Sequence, residues 1–286
     1  MGSIKREAPP GEFYRLDRAV RVSGRSFFGR KTEIVFEPHG GIGWEMIERA
    51  GKPTPIDPTM ADTHHQQITL RSPAGAVCHV FEHVGALRNQ FVGVKFAALG
   101  GHAPYFGGSL ELFEALRCSA TRVPTLSMPR FTVSGPIRWD YPKPRGGRRS
   151  YVDIRPREDG KLQLDITIAF PGIGELNRKF SFPDPATMRE VCGGLPAGYP
   201  RSRHFVARAA SALGWPHKAR IAWVQELGAD TFLDTVLRHR ALDLLGALSL
   251  LSGKGRFMAN VTSVCAGHEA DMQVVPRAYR HLYRIA

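Results

Sequence analysis

No apolar run in the sequence approaches the roughly 20 residues that a membrane-spanning helix needs, which excludes a helical membrane protein. The start, with Lys5, Arg6, Glu7, Pro9 and Pro10, lacks the apolar core of a secretory signal, so the cytoplasm is the expected location. Cysteine is scarce. Cys78, Cys118, Cys192 and Cys265 are scattered with no Cys-x-x-Cys pair, which argues against a disulfide framework or a thiolate zinc site and leaves them as expected buried thiols. Acid is short of base: 26 Asp and Glu against 39 Lys and Arg give a net charge of +13, favouring an anionic partner. A phosphorylated substrate, an acidic membrane surface or nucleic acid would fit. Nucleic acid is the weakest of these, because the basic residues are spread along the chain. The one dense cluster, Lys143, Arg145, Arg148 and Arg149, lies among Pro142, Pro144, Gly146 and Gly147 and reads as a hairpin tip.

What is there is a globular pattern, since 286 residues with 43% hydrophobic content suffice for two real cores. Alternating apolar and polar residues from 19 to 36, on either side of Gly24 to Gly29, predict a hairpin, and strand signals recur at 67–70 and 92–97. Helices are expected at 78–87 and 110–117. The aperiodic stretch 121–128, with Pro124, is the expected boundary, giving domains 1–126 and 127–286. Beyond it the pattern restarts with strands at 130–133, 151–155, 161–168 and 178–182. Helices at 185–191 and around 204–213 follow, then one at 231–252 and a strand at 256–265. Strands followed by helices in both halves imply an α+β fold of two similar units.

The helix at 231–252 is the one the chemistry turns on. Asp230 is its expected N-cap, Leu237, Ala241, Leu244, Leu245, Leu248 and Leu251 form a stripe, and Gly253 ends it. The face roughly opposite carries His239 and Asp243, four residues apart and so on one side, together with Phe232, Val236, Gly246 and Leu250. The helix is therefore apolar nearly all round and expected to be covered on both sides. A buried carboxylate needs a hydrogen-bonded partner or a metal. A structural His–Asp pair satisfies that need as well as a metal does. The second stretch, Cys78 to Leu87, adds Glu82 directly before His83. Together the two stretches offer the set a zinc hydrolase uses: two imidazoles, one carboxylate ligand and one spare carboxylate.

Glu82-His83, Pro104-Tyr105-Phe106-Gly107-Gly108-Ser109, Arg238-His239-Arg240-Ala241-Leu242-Asp243-Leu244-Leu245-Gly246 and Gly267-His268 come in the order seen in the zinc-dependent UDP-3-O-acyl-N-acetylglucosamine deacetylases of lipid A synthesis. The chain resembles a divergent member of that family over essentially its full length. The resemblance implies two β/α domains in a β-α-α-β sandwich, helices inside and sheets outside, with the metal between domains. It implies His83, His239 and Asp243 as zinc ligands, Glu82 as general base and His268 as second acid or oxyanion stabiliser. It also implies substrate contacts from Arg240, where the family has Lys, from Phe170 near the uracil pocket, and from His204 and Phe205 in a loosely matching stretch. His79 matches no functional position.

Several family groups are missing. The carboxylate one turn after the ligand Asp is Ala247, the Lys three residues before the catalytic His is Cys265, the Asp before Phe170 is Ala169, and the His of the opening hairpin is Phe28. The implied partner is an anionic or lipid-linked N-acylated amino sugar, with transient contact to the inner-membrane surface. Two alternatives stay open: a divergent paralogue acting on a different amide, and a non-catalytic zinc-binding protein.

Overall fold

Leu162, Leu164, Ile166 and Ile168 are buried and the residues between them are not, the period-2 signature of a strand with one face on a core. The computed structural model describes residues 13–26, 29–48, 51–64, 67–123, 128–142, 148–198, 221–253 and 255–285. Over these the chain is a mixed α/β protein with many strands and few helices.

Its strands follow one plan twice. In the first half a five-stranded sheet runs Val20–Arg25, Lys31–Pro38, Val94–Leu99, Trp44–Ile47, Pro53–Pro55, with neighbours antiparallel except where Val94–Leu99 meets Trp44–Ile47. The second half repeats it as Ile137–Asp140, Tyr151–Pro156, Ala259–Val264, Leu162–Phe170, Gly174–Phe182, with the one parallel pair again third to fourth. Each half also has a three-stranded sheet. Phe13–Leu16 lies between Ala120–Val123, antiparallel, and Phe91–Val92, parallel; Arg130–Val133 lies likewise between Leu282–Ile285 and Arg256–Phe257. The first half alone inserts a third sheet, Ala61–His64, Gln67–Arg71, Val77–His79.

Six helices accompany the strands among the described residues: α1 (Phe81–Gly85), α2 (Leu110–Arg117), α3 (Pro185–Cys192), α4 (Val224–Leu227), α5 (Ala229–Ser249) and α6 (His268–Arg280). In the duplicated plan α1 and α5 occupy equivalent places, as do α2 and α6. Helix α5 packs against α1, α3, α6 and the strands Leu162–Phe170 and Gly174–Phe182. Leu237, Leu242, Leu244 and Leu245 on it are wholly buried, each contributing roughly 1.5–3 kcal/mol of apolar transfer. The largest cluster of buried apolar side chains draws on both halves without a break.

Several expectations need correction. The helix expected at 78–87 is shorter: Val77–His79 is strand, α1 spans only Phe81–Gly85, and a 3-10 turn, Ala86–Asn89, follows. The stretch 121–128 is not wholly aperiodic, since Ala120–Val123 pairs with Phe13–Leu16. Helix α5 is preceded by Gly228, not Asp230, which sits in its first turn. Helix α6 went unpredicted, because Pro276 interrupts its interior and Gly267 offers no side-chain cap. Cys78 and Cys192 are buried thiols, but Cys118 is exposed and Cys265 only partly covered. In the basic cluster, Arg148 pairs with Glu175 and Arg149 with Asp140 at 3.0 Å, while 143–147 lie outside the described residues.

Helix α5 approaches α1 through Gly246. A Cβ built there would lie 2.1 Å from the Glu82 carbonyl oxygen and 2.5 Å from its Cα. Backbone cannot rotate aside as a side chain can, so Gly246→Ala is expected to lower stability by about 1–3 kcal/mol or more, read from the denaturant midpoint. Ala at Gly135, where a Cβ would meet nothing within 4 Å, should change it little.

Candidate metal centre

The turn into α1 is unusual. Val80 has φ +59°, a left-handed conformation that a β-branched residue adopts only under constraint, at a cost of order 1–3 kcal/mol. It swings the chain from strand Val77–His79 into α1 and thereby sets where Glu82 and His83 begin. Both are 2% exposed. The inserted sheet holds the first of them: Ile68 N donates to Glu82 Oε2 at 2.8 Å. Ser109, just before α2, donates from its hydroxyl to the His83 carbonyl at 2.8 Å.

From α5, His239 and Asp243 meet His83. The Asp243 Oδ1 atom lies 3.6 Å from His239 Nε2 and 3.9 Å from His83 Nε2. The His83 and His239 rings stand edge to face, centroids 5.3 Å apart. Neither contact is short enough for a hydrogen bond, and Asp243 Oδ1, though buried, bonds to nothing among the described residues. Ligand atoms about 2.0–2.2 Å from a tetrahedral ion stand roughly 3.3–3.5 Å from one another, close to what is found. An orphaned carboxylate oxygen facing two imidazole nitrogens at this spacing fits a metal ion.

Around this group lie two further titratable residues. His268, first residue of α6, brings Nε2 to 3.5 Å from Asp243 Oδ2, and Glu82, Asp243 and His268 offer donor atoms within 4.8 Å of one another. Burial, then the neighbouring His239 and His268, hold His83 well below the ordinary imidazole range. Burial likewise draws His239 down to about 4, so both rings are neutral, as ligands must be. Burial pushes Asp243 up to about 6, and burial followed by the charge of Asp243 pushes Glu82 well above the usual carboxylate range. The site is short of positive charge.

The structure thus brings together Glu82, His83, His239, Asp243 and His268. Arg240 is placed differently: its guanidinium forks onto Asp271 at 2.6 and 2.5 Å and reaches Ser263 Oγ at 3.1 Å, all buried. Phe170 packs edge to face on Phe232 at 5.3 Å, two helical turns before His239 on α5. His204 and Phe205 lie outside the described residues. His79, on a strand, stacks on His102 at 4.3 Å and pairs Nδ1 with Thr69 Oγ1 at 2.9 Å, so its spacing from His83 does not align the two. In the 104–109 stretch the sequence assigns Tyr105 no role, yet it reaches the site. Its ring stacks on His83 at 5.8 Å, and burial and the charges of Asp243 and Glu82 keep its hydroxyl protonated. Asp271 was missed; its only signal is a position three residues after His268.

No protein-family model matches the chain, and no curated protein matches it.

The purified protein is expected to take up one divalent transition-metal ion per chain, measured by elemental analysis after dialysis. His239→Ala and Asp243→Ala should each weaken uptake by more than the roughly 10–100-fold that loss of an outer partner costs. Full occupancy in a His83→Ala, His239→Ala double variant would remove these residues as ligands.

Proposed function

We propose that the chain is a zinc-dependent N-deacetylase of an acylated amino sugar, a divergent relative of the UDP-3-O-acyl-N-acetylglucosamine deacetylases, acting in the cytoplasm. The observation that carries this is the pair Glu82 and His268. A structural metal site has no use for a spare carboxylate and a spare imidazole beside its ligands, whereas amide hydrolysis needs both. The duplicated strand plan, with α1 and α5 in equivalent places, supports a sandwich of helices between two sheets and domains 1–126 and 127–286.

His83, His239 and Asp243 would hold a zinc ion, which would supply the Lewis acidity to polarise an amide carbonyl and acidify a water. Glu82, fixed through Oε2 by the Ile68 N–H, is oriented before substrate arrives and would take the proton of the attacking water. His268 Nε2, beside Asp243 Oδ2, hands a proton to the departing amine or donates to the oxyanion. Tyr105 holds the His83 ring by stacking. Burial of Glu82, His83, His239 and Asp243 excludes bulk water and strengthens the contacts among them.

The residues that would hold a nucleotide diphosphate are thinner. Ala169, Ala247 and Cys265 stand where the family has charges, and Arg240 is engaged by Asp271. A charge-assisted contact is worth about 1.5–3 kcal/mol, so each loss costs roughly ten- to hundredfold. The favoured substrate is therefore an N-acylated amino sugar that does not depend on UDP.

Glu82→Gln is expected to keep zinc and fold while losing about hundredfold or more in kcat. Acetate release from N-acetylglucosamine derivatives with and without UDP measures it. An unchanged rate removes Glu82 from the reaction. A kcat/KM on the UDP-linked precursor that exceeds the others, and that Cys265→Lys does not improve, shows that UDP is gripped by other groups.

A further inference from the structure

Away from the metal centre, two arginines from different halves line one small cavity. It has a volume of about 20 Å³ and is walled by Phe13 and Arg88 of the first half and Leu162, Phe182, Ser252 and Arg256 of the second. Arg88 is 8% exposed. Its Nη2 donates to the Gly253 carbonyl at 2.7 Å, but its buried Nη1 bonds to nothing among the described residues. The Arg256 Nη2 donates to the Gly160 carbonyl at 2.9 Å, and its guanidinium carbon lies 4.8 Å from the Phe13 ring centroid. Among the described residues no carboxylate forms an ion pair with either one. Burial alone draws Arg88 down to about 10, and burial followed by Arg130 does the same to Arg256.

Two guanidiniums beside one cavity, with a buried N–H left over and no acid between them, are the half-site of an ion pair. We propose that this cavity binds a single small inorganic anion, chloride in the cell, between Arg88 and Arg256. Size narrows the class: the space is small, about 20 Å³, and suits a small inorganic ion such as a halide better than a larger organic anion. The anion would bear on the metal centre through the chain. Arg88 lies in the turn directly after α1, five residues beyond His83, and Gly253 lies in the segment just after α5. An ion bound there ties the ends of both ligand-bearing helices to the second half of the chain.

The test is thermal unfolding of the full chain as purified, with chloride exchanged for gluconate at constant ionic strength, together with crystals soaked in bromide. Raising chloride about a hundredfold is expected to raise Tm by roughly 2–6 °C. Arg88→Met, which keeps the bulk and removes the donors, should abolish the rise, and bromide should give an anomalous peak in the cavity. A Tm indifferent to chloride, an Arg88→Met protein as responsive as the parent, or bromide absent from the cavity would each overturn the proposal and leave a water there. If Arg88→Met does not fold, Arg256→Met takes its place, and the bromide experiment needs no variant.

Discussion

The contact between Gly246 of α5 and the backbone of Glu82 in α1 is the constraint on which the candidate metal centre depends. Helices ordinarily stand 8–10 Å apart, held off by their side chains. Here one side chain is missing at the crossing, and a Cβ would fall within 2.1 Å of a carbonyl oxygen. One turn on, Gly85 does the same from the other side, where a Cβ would meet Ser249 Oγ at 2.7 Å. Glycine inside a helix costs roughly 0.5–1 kcal/mol, and both helices bear it at this crossing. What the closeness allows is the meeting of His83 with His239 and Asp243, which lie 156 and 160 positions further along the chain. Gly194 extends the same logic: a Cβ there would strike the His239 nitrogen at 2.2 Å, so the segment after α3 is pressed against the helix at its ligand.

Electrostatics then divides the buried charges into two groups. Arg240 and Asp271 satisfy each other with a bidentate fork, the geometry in which guanidinium and carboxylate bind most strongly. Glu82 and Asp243 have no such cation among the described residues, and both are held toward their protonated forms by burial. Three imidazoles converge on Asp243 at 3.5, 3.6 and 3.9 Å, beyond ordinary hydrogen-bonding length. A divalent ion at that point would reverse the local balance, stabilising Asp243 as a carboxylate and lowering Glu82 toward a basic, ionised form.

The fold was legible where periodicity is clean and illegible where glycine, proline or short length hides it. Leu162–Phe170 alternates in and out, and α5 announces itself by leucines on every side. By contrast Trp44–Ile47, Pro53–Pro55 and Leu282–Ile285 are three or four residues long, too short for any period to register, and two residues of Pro53–Pro55 are prolines. Glu82, His83, His239 and Asp243 stood out by type and spacing and His268 only through the family resemblance, but their arrangement was not legible. His79 and His83 sit four apart as helical ligands would, yet the left-handed turn at Val80 puts the first on a strand and the second on a helix. Nothing in a linear pattern reports a positive φ at valine.

The Arg240–Asp271 pair bears on the question of Ala247. In the proposed family a carboxylate one turn beyond the ligand Asp would support the second catalytic residue; Ala247 is buried and has none to offer. Asp271 brings a carboxylate to this region from the other side, on α6, three residues beyond His268 and so on the same face of that helix. Its charge reaches Asp243, as does that of Arg240. By gripping Asp271 and Ser263, Arg240 fastens α5 to α6 and to strand Ala259–Val264, and this fixes the approach of His268 to Asp243. A cation committed to that task is not also a grip for a phosphate. On the proposed reading, the same residue that compensates for Ala247 inside the site withdraws a contact from the substrate outside it. The loss of nucleotide-binding charge and the rebuilding of the catalytic surroundings are then two consequences of one rearrangement.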